Sequence, residues 1–294
     1  MTDPRGDIRI DLHMHTTASD GRLSPPALVA LAAGAGVAVM SVTDHDTVAG
    51  LAEAHAAAVA HGLRLIDGIE MTAVEAGRDV HVLGYFFAPD DGALSRFLET
   101  QRLARIDRVR EIAERLEALG CPIDVAALLS SSPPSSGRSV GRPLVADALV
   151  AAGHAADRRD AFDRLLATDR PAFVPRWGPD VAQVIDAIAA AGGIASLAHP
   201  GLLRTDDRIP AYAAAGLSAI EARHRDHTAA DEARYRQLAA DLGLAVSGGS
   251  DFHGPHDARD GALACPGAVT LDVADFVALE ARRPERGLPT AGGR

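Results

Sequence analysis

Six histidines and three carboxylates are spaced along this chain in a way that suits metal binding. His13 and His15 sit two apart at the end of a strand-like run, with Asp20 just beyond. His45 lies in "VTDHDT", Glu70 in "GIEMTA", His81 in "VHVLGY" and His199 in "LAHPG". Asp251 and His253, again two apart, lie in "GGSDFHG". Successive side chains of a strand alternate faces, so each i, i+2 pair points one way. One ion takes about four ligands of this kind. Nine donors therefore imply two or three divalent ions, with a carboxylate such as Glu70 bridging. Imidazole and carboxylate without thiolate suit Mn, Zn or Fe.

Each motif also has a plainer reading. A His-x-His pair can be a polar strand end. Asp46 or Thr47 can cap the helix that follows; Asp46 is given that role and ligation is left to His45. His81 alone reads as a core histidine, and His199-Pro200-Gly201 as a turn. His55 and His61 read as surface residues of an Ala-rich helix. His154, His227, His256, Cys121 and Cys265 carry no pattern that points to chemistry. The Arg/Glu face of residues 102 to 117 reads as a solvated helix with i, i+4 pairs. What joins the nine donors is their joint placement on one face.

The elements that must position them alternate. "DIRIDLHMH" reads as a strand, "PPALVALAAGAG" as a helix, "VAVMSVTDHD" as a strand and "VAGLAEAHAAAVAHG" as a helix. "LRLIDGIEMTA" and "DVHVLGYFF" read as strands. Residues 93 to 120 form a long charged amphipathic helix, followed by the Ser/Pro/Gly segment "SSSPPSSGRSVG" and more helix. Strand and helix then alternate again through "IASLAHPG", "LSAIEARH" and "LAVSGGSDFHG". Repeated strand–helix units imply a parallel sheet or barrel. In a parallel barrel all strand C-termini open on one face, so donors scattered along the chain converge there. The expected organisation is a discontinuous barrel over residues 7–92 and 172–275. A helical insertion covers 93–171, and 283–294 form a disordered tail.

Composition narrows the options. The 294 residues are 47% apolar, enough for a sizeable core. Net charge is -11, which argues against a DNA-coating surface but not against a small anionic ligand held by a few arginines. All 29 basic residues are Arg, so only arginine position carries information. No apolar run reaches the ~18 residues of a membrane span. "MTDPRGDIRI" lacks the order of a signal peptide. Two cysteines make no disulfide framework. A cytoplasmic protein without membrane contact is expected. "SGGS" at 247 to 250 lacks the Lys and spacing of a Walker loop.

The motifs "DLHMHTTASDG", "VTDHDT", "GIEMT", "HVLGYF", "AHPG" and "GGSDFHG", in this order, resemble those of the PHP (polymerase and histidinol phosphatase) family. The resemblance implies a distorted (β/α)7 barrel with a two- or three-metal cluster. "GRPLVADALVAAG" and "RPAFVPRWGPDVAQVIDAIAAAGGIASLAHPG" resemble the nucleoside 3′,5′-bisphosphate phosphatases, a branch that includes enzymes trimming RNA from its 5′ end. Carried over, His13, His15, Glu70 and Asp251 hold a first ion; Glu70, His81 and His199 a second; Asp20, His45 and His253 a third. Arg142, Arg176 and His224 are implied at the substrate phosphate. Arg142, His224 and Asp251 are the residues expected to serve catalysis. Two departures bear on the substrate. Leu144 stands where the branch usually has His, and Ala222-Arg223-His224 stands where an aromatic commonly precedes the histidine. The implied function is metal-dependent hydrolysis of a nucleotide phosphate ester or of short RNA 5′ ends. Histidinol phosphate or another small phosphomonoester is an alternative. A non-catalytic metal-binding module is another, and it predicts lost ligands.

Overall fold

The computed structural model describes residues 8–130, 136–203, 206–255 and 265–284. Most of the tail expected to be disordered, and His256, lie outside these residues. Seven strands form one sheet in chain order. They are β1 (Arg9–Asp11), β2 (Val37–Val42), β3 (Arg64–Glu75), β4 (Arg78–Tyr85), β5 (Ile194–Leu197), β6 (Ala219–His224) and β7 (Ala245–Gly249). The two ends of the sheet meet. The Leu12 N–H donates to the Gly248 carbonyl at 3.3 Å, and the His15 N–H to the Phe252 carbonyl at 2.9 Å. Met14 and Phe252 form an isolated bridge beside them. The sheet thereby curls into a nearly closed barrel, the expected distorted (β/α)7 architecture.

Helices α1 (Pro25–Gly34) and α2 (Leu51–His61) follow β1 and β2. The segment after β4 holds α3 (Gly92–Ala118), α4 (Val125–Ser130), α5 (Arg142–Ala151) and α6 (Arg158–Ala161), the last running into a π-helical turn at Phe162–Leu166. Helices α7 (Val181–Ala190), α8 (Pro200–Leu203), α9 (Ile209–Ala214), α10 (Ala229–Asp241) and α11 (Val273–Glu280) complete the chain. Sequence-local signals set several of these ends. Asp91 accepts from the Ala93 and Leu94 amides to start α3. Asp180 with Gln183, and Thr228 with Asp231, form capping boxes for α7 and α10.

Three expectations are corrected. The sheet is not all parallel: β4 runs antiparallel to both β3 and β5. The cause is a two-residue turn, Ala76-Gly77, with φ of 49° and 76°. Left-handed values at both central residues are those of a tight hairpin turn. No helix separates β3 from β4, so β4 must reverse. Secondly, Glu70 does not end its strand. The ladder of β3 with β2 stops at Asp67, while β3 continues to Glu75 against β4. Glu70 lies past that ladder, where an isolated parallel bridge to His45 continues the pairing at the rim. Thirdly, β1 is shorter than "DIRIDLHMH". Beyond Asp11 the Leu12 and His15 amides bond the β7 side while Met14 still pairs with Thr43 after β2, which holds His13 and His15 at the barrel mouth.

Two apolar clusters are distinct. One fills the barrel and lies under its helices, and includes Leu12, Met40, Ile69, Val82, Leu197 and Ile220. The other is built by Ile106, Val109, Ile112, Leu116, Val145, Leu149, Leu166 and neighbours between β4 and α7. Helix α3 joins them: Leu94 and Leu98 belong to the barrel cluster and Ile106 onwards to the second. Among the described residues no helix is long and apolar enough to cross a membrane.

Candidate metal centre

All nine donors read from the sequence gather at one mouth of the barrel. Glu70 is at their centre and is buried. Its Oε2 lies 3.2 Å from Nε2 of His13, 3.2 Å from Nε2 of His15 and 3.2 Å from Nδ1 of His45. Its Oε1 lies 2.7 Å from Nδ1 of His81 and 3.0 Å from Nε2 of His199. One carboxylate is thus shared between two sets of imidazoles, one per oxygen. Asp251 Oδ1 faces His13 and His15 at 3.4 and 3.2 Å. Asp20 meets His253 at 3.4 Å and His15 and His45 at 3.8 Å. The donor atoms of His13, His15, Glu70 and Asp251 all lie within 4.8 Å of one another. So do those of His15, Asp20, His45 and His253, and those of His45, Glu70 and His81.

The backbone is bent to achieve this. His199 and Asp251 adopt positive φ, 29° and 49°. Such conformations cost energy in non-glycine residues and persist where surrounding structure enforces them. Gly249 is required by close approach: a Cβ there would sit 2.3 Å from the His13 nitrogen. Asp44 organises the loop carrying Asp20. Its carboxylate accepts from the Thr16 amide at 2.7 Å and from the Thr16 and Ser19 hydroxyls at 2.6 Å each.

The electrostatics demand positive charge at this mouth. Burial pushes the Glu70, Asp20 and Asp251 carboxyls up, but the surrounding imidazoles outweigh it and hold all three well below the usual carboxylate range. Burial disfavours the His15 imidazolium, yet the Asp251 and Glu70 carboxylates beside it prevail and raise it to about 10. His45 goes the other way, down to about 3, because burial dominates and His15 and His81 repel its charge. Several buried ring nitrogens make no hydrogen bond of good geometry: both of His15, and Nδ1 of His45, His81 and His199. Buried polar atoms without partners are costly. Lone pairs converging on carboxylates in this way fit divalent cations.

A cavity of about 820 Å³ opens over the donors. Asp20, His45, Glu70, His81, His199, Asp251 and His253 line its floor, and Arg22, Pro143, Arg158 and Phe162 are on its walls. A smaller recess of about 120 Å³ adjoins it, lined by Arg105, Arg108, Arg142 and Arg176 beside His45 and His81. Arg105 and Arg176 reach Asp46 Oδ2 at 2.6 and 2.8 Å. Arg142 and Arg108 reach Asp79 at 3.3 and 3.8 Å. Four guanidiniums thus face two carboxylates. Burial and the neighbouring Arg142 push Arg108 down to about 10.

Some sequence readings need correction here. Asp46 does not cap α2, whose N-cap is Gly50. Its carboxylate accepts from the Thr72 amide at 2.7 Å and takes the two arginines, because a positive φ of 50° turns it away from the helix. Arg105 and Arg108 are not on a solvated face. Their i, i+3 spacing sets both on the side of α3 that faces the barrel, whereas Arg115 and Glu111 form the expected exposed i, i+4 pair. Of the residues implied at the substrate, Arg142 and Arg176 line the recess. His224 lines neither cavity; its side chain is buried, with Nε2 3.4 Å from Asp251 Oδ2. Leu144 packs against the second apolar cluster instead of facing either cavity. His227 is structural: its Nδ1 pairs with the Ala222 carbonyl and its Nε2 accepts from the Gly201 amide.

The comparisons agree with this geometry. A family model described as "PHP domain" matches residues 11–124. The chain is 34% identical to a 3′,5′-nucleoside bisphosphate phosphatase of Chromobacterium violaceum, over 84% of this chain and 87% of that protein. It is 34% identical to the 5′-3′ exoribonuclease Rnm of Escherichia coli, over 87% of this chain and 88% of that protein. A solved structure from Bifidobacterium adolescentis, assigned as a metal-dependent phosphoesterase, superposes with a TM-score of 0.83 at 33% identity, covering 94% of this chain and 96% of that one. Histidines and carboxylates at the mouth of a seven-stranded barrel, and relatives matched over most of their length, identify this chain as a member of the PHP domain family of metal-dependent phosphoesterases.

Proposed function

We propose that this enzyme removes the 3′-phosphate of nucleoside 3′,5′-bisphosphates and, on the same centre, trims short RNA from its 5′ end. The observation that carries the reading is the meeting of the Glu70 cluster with a recess of four arginines. A metal centre alone serves many hydrolases, but an adjoining cationic recess suits a substrate with a second phosphate. The named activities of the relatives supply the substrate class.

We assign His13, His15, Glu70 and Asp251 to one ion, Glu70, His81 and His199 to a second, and Asp20, His45 and His253 to a third. Such ions activate water and neutralise phosphoryl oxygens. Manganese is our preferred occupant, with zinc and iron suited by the same donors. The chain's own residues do the rest. Arg142 and Arg176 present planar forks that match phosphate oxygens. Arg142 is held over the rings of Phe162 and Phe173, at 5.8 and 5.6 Å, which fixes its plane. His224 accepts from the Asp226 amide at Nδ1, so in its neutral form it keeps its proton on Nε2, directed at Asp251. We therefore assign His224 to orienting Asp251 and leave phosphate contact to the arginines. Residues 93–171 act as a cap that carries Arg105, Arg108 and Arg142 to the barrel mouth.

The test is phosphate release from adenosine 3′,5′-bisphosphate with added Mn²⁺ and after chelation. We expect release that needs the metal and exceeds that from histidinol phosphate. Release that survives complete metal removal would refute the mechanism, and preference for histidinol phosphate would refute the substrate.

A further inference from the structure

Glu221 is in none of the three ligand sets assigned above and has no role assigned from the sequence, yet it is fully buried behind the metal centre, its carboxylate within 4.8 Å of donor nitrogens of His13 and His224. A buried carboxylate is retained only where its oxygens are satisfied. Here one oxygen, Oε1, lies 2.9 Å from Nδ1 of His13. The other, Oε2, accepts the His199 backbone N–H at 2.7 Å. His13 and His199 come from widely separated parts of the chain and meet opposite oxygens of Glu70. One side chain therefore braces a donor on each side of the bridging carboxylate.

A local irregularity of β6 makes this possible. Glu221 and His224 are three apart, so strict alternation would send them to opposite faces. The pairing with β7 slips between Glu221 and Arg223: Glu221 lies opposite Ser247, but Arg223 lies opposite the next residue, Gly248. A bulge of this kind re-aims side chains and is common beside active sites. It lets Glu221 reach His13 while His224 reaches Asp251. Arg223 is turned outwards, where it pairs with Asp272 at 2.9 Å.

We propose that Glu221 is a positioning residue that fixes His13 as the tautomer protonated on Nδ1 and holds the His199 backbone in its left-handed turn, so that both present Nε2 to neighbouring ions. The proposal rests on the metal centre described above. With the proton on Nδ1, the His13 Nε2 lone pair is directed at the space between Glu70 and Asp251. Partners of this kind outside the ligand set typically change metal affinity by roughly 10- to 100-fold.

The experiment compares wild type with Glu221→Gln by metal content and by Zn²⁺ titration against a chelator. Gln keeps the volume but has only one acceptor oxygen, so it preserves at most one of the two bonds. The expected result is roughly 10- to 100-fold weaker binding of the ions held with His13 and His199. The ion held by Asp20, His45 and His253 should keep its wild-type affinity. Equal affinity at all sites in the variant, or equal loss at all of them, would overturn the proposal. A wild type that binds no Zn²⁺ would overturn the metal centre itself. A second measurement needs no variant fold: in Zn²⁺-loaded wild type, imidazole nitrogen NMR should place the His13 proton on Nδ1. A proton on Nε2 would overturn the proposal.

Discussion

Glu70 Oε1 lies 2.7 Å from Nδ1 of His81, a diagonal pair across the antiparallel β3–β4 ladder in which Glu70 faces Leu83 and Thr72 faces His81. The hairpin reversal of β4 creates this contact. Were β4 parallel, its side chains would approach β3 in a different register and the second imidazole set would lose a member. Replacing Glu70 with Gln keeps the shape and removes the charge shared by five histidines. We expect the variant to lose bound metal and more than about a hundredfold in activity, beyond what an outer partner costs. Metal analysis beside phosphate-release rates checks this.

Metal binding should take up fewer ions in acid. His15 is raised to about 10 from 6.5 by Asp251 and Glu70, despite burial, so the metal-free protein carries a proton there at neutral pH. That charged form stabilises the metal-free fold fully below 6.5, and the contribution is lost as pH rises through about 10. Ions must displace the proton, so affinity should climb with pH by up to about tenfold per unit for each proton released. Calorimetry in buffers of different ionisation enthalpy should register proton release. A pH-independent affinity would contradict the assignment of His15.

Asp46 ties the β2–α2 loop to α3 through Arg105 and to the segment before α7 through Arg176. Burial pushes its carboxyl up, but these two arginines prevail and hold it well below the ordinary 3.8. Its stabilising effect is therefore present above about 3.9 and is lost as pH falls further towards the depressed folded value. Asp46→Asn tolerates the left-handed backbone but leaves the buried Arg176 and the half-buried Arg105 without their carboxylate. Breaking such a pair costs about 3–5 kcal/mol. Denaturant unfolding should show it, with neutral-pH stability falling towards that of acidified wild type.

Gly249→Ala places a methyl 2.3 Å from the His13 nitrogen. Backbone cannot yield without moving the first strand. The expected outcome is a folded protein with reduced metal content, seen by circular dichroism and metal analysis together. Full occupancy would show that His13 tolerates the shift.

Arg142→Ala should raise KM for the nucleoside bisphosphate at least about tenfold, the scale of one lost charge-assisted contact of ~1.5–3 kcal/mol. Metal content should stay unchanged. Leu144→His should have little effect on KM, since Leu144 packs against the second apolar cluster and lines neither cavity. A large gain in affinity from that variant would show that this cluster repacks around it.

Much of the centre was legible because donor chemistry is a property of residue type. The i, i+2 spacing of His13/His15 and of Asp251/His253 signals their common facing, since strand alternation is local. The helices were readable for a similar reason, as at Asp91 and Thr228, where a cap is written within four residues. Glu221 was not legible, because its spacing from His224 violates alternation unless a bulge intervenes. Arg105 and Arg108 were not, because an arginine on an amphipathic helix looks solvated until the facing surface is known. Asp46 misled for a related reason: a residue before a helix is a natural cap, and only its left-handed backbone turns it elsewhere.

The sequence by itself determined which side chains can bind cations, which neighbours share a face, and where strands and helices alternate. Only the tertiary structure decided that Glu70 divides five histidines between its two oxygens. It also decided that Glu221 spans the 208 residues to His13, and that α3 lends its arginines to the mouth. The physical reason is range. Residue chemistry and alternation are set within a few bonds, whereas a shared carboxylate depends on strand order, on one reversed strand and on closure of the barrel, which no short stretch of chain encodes.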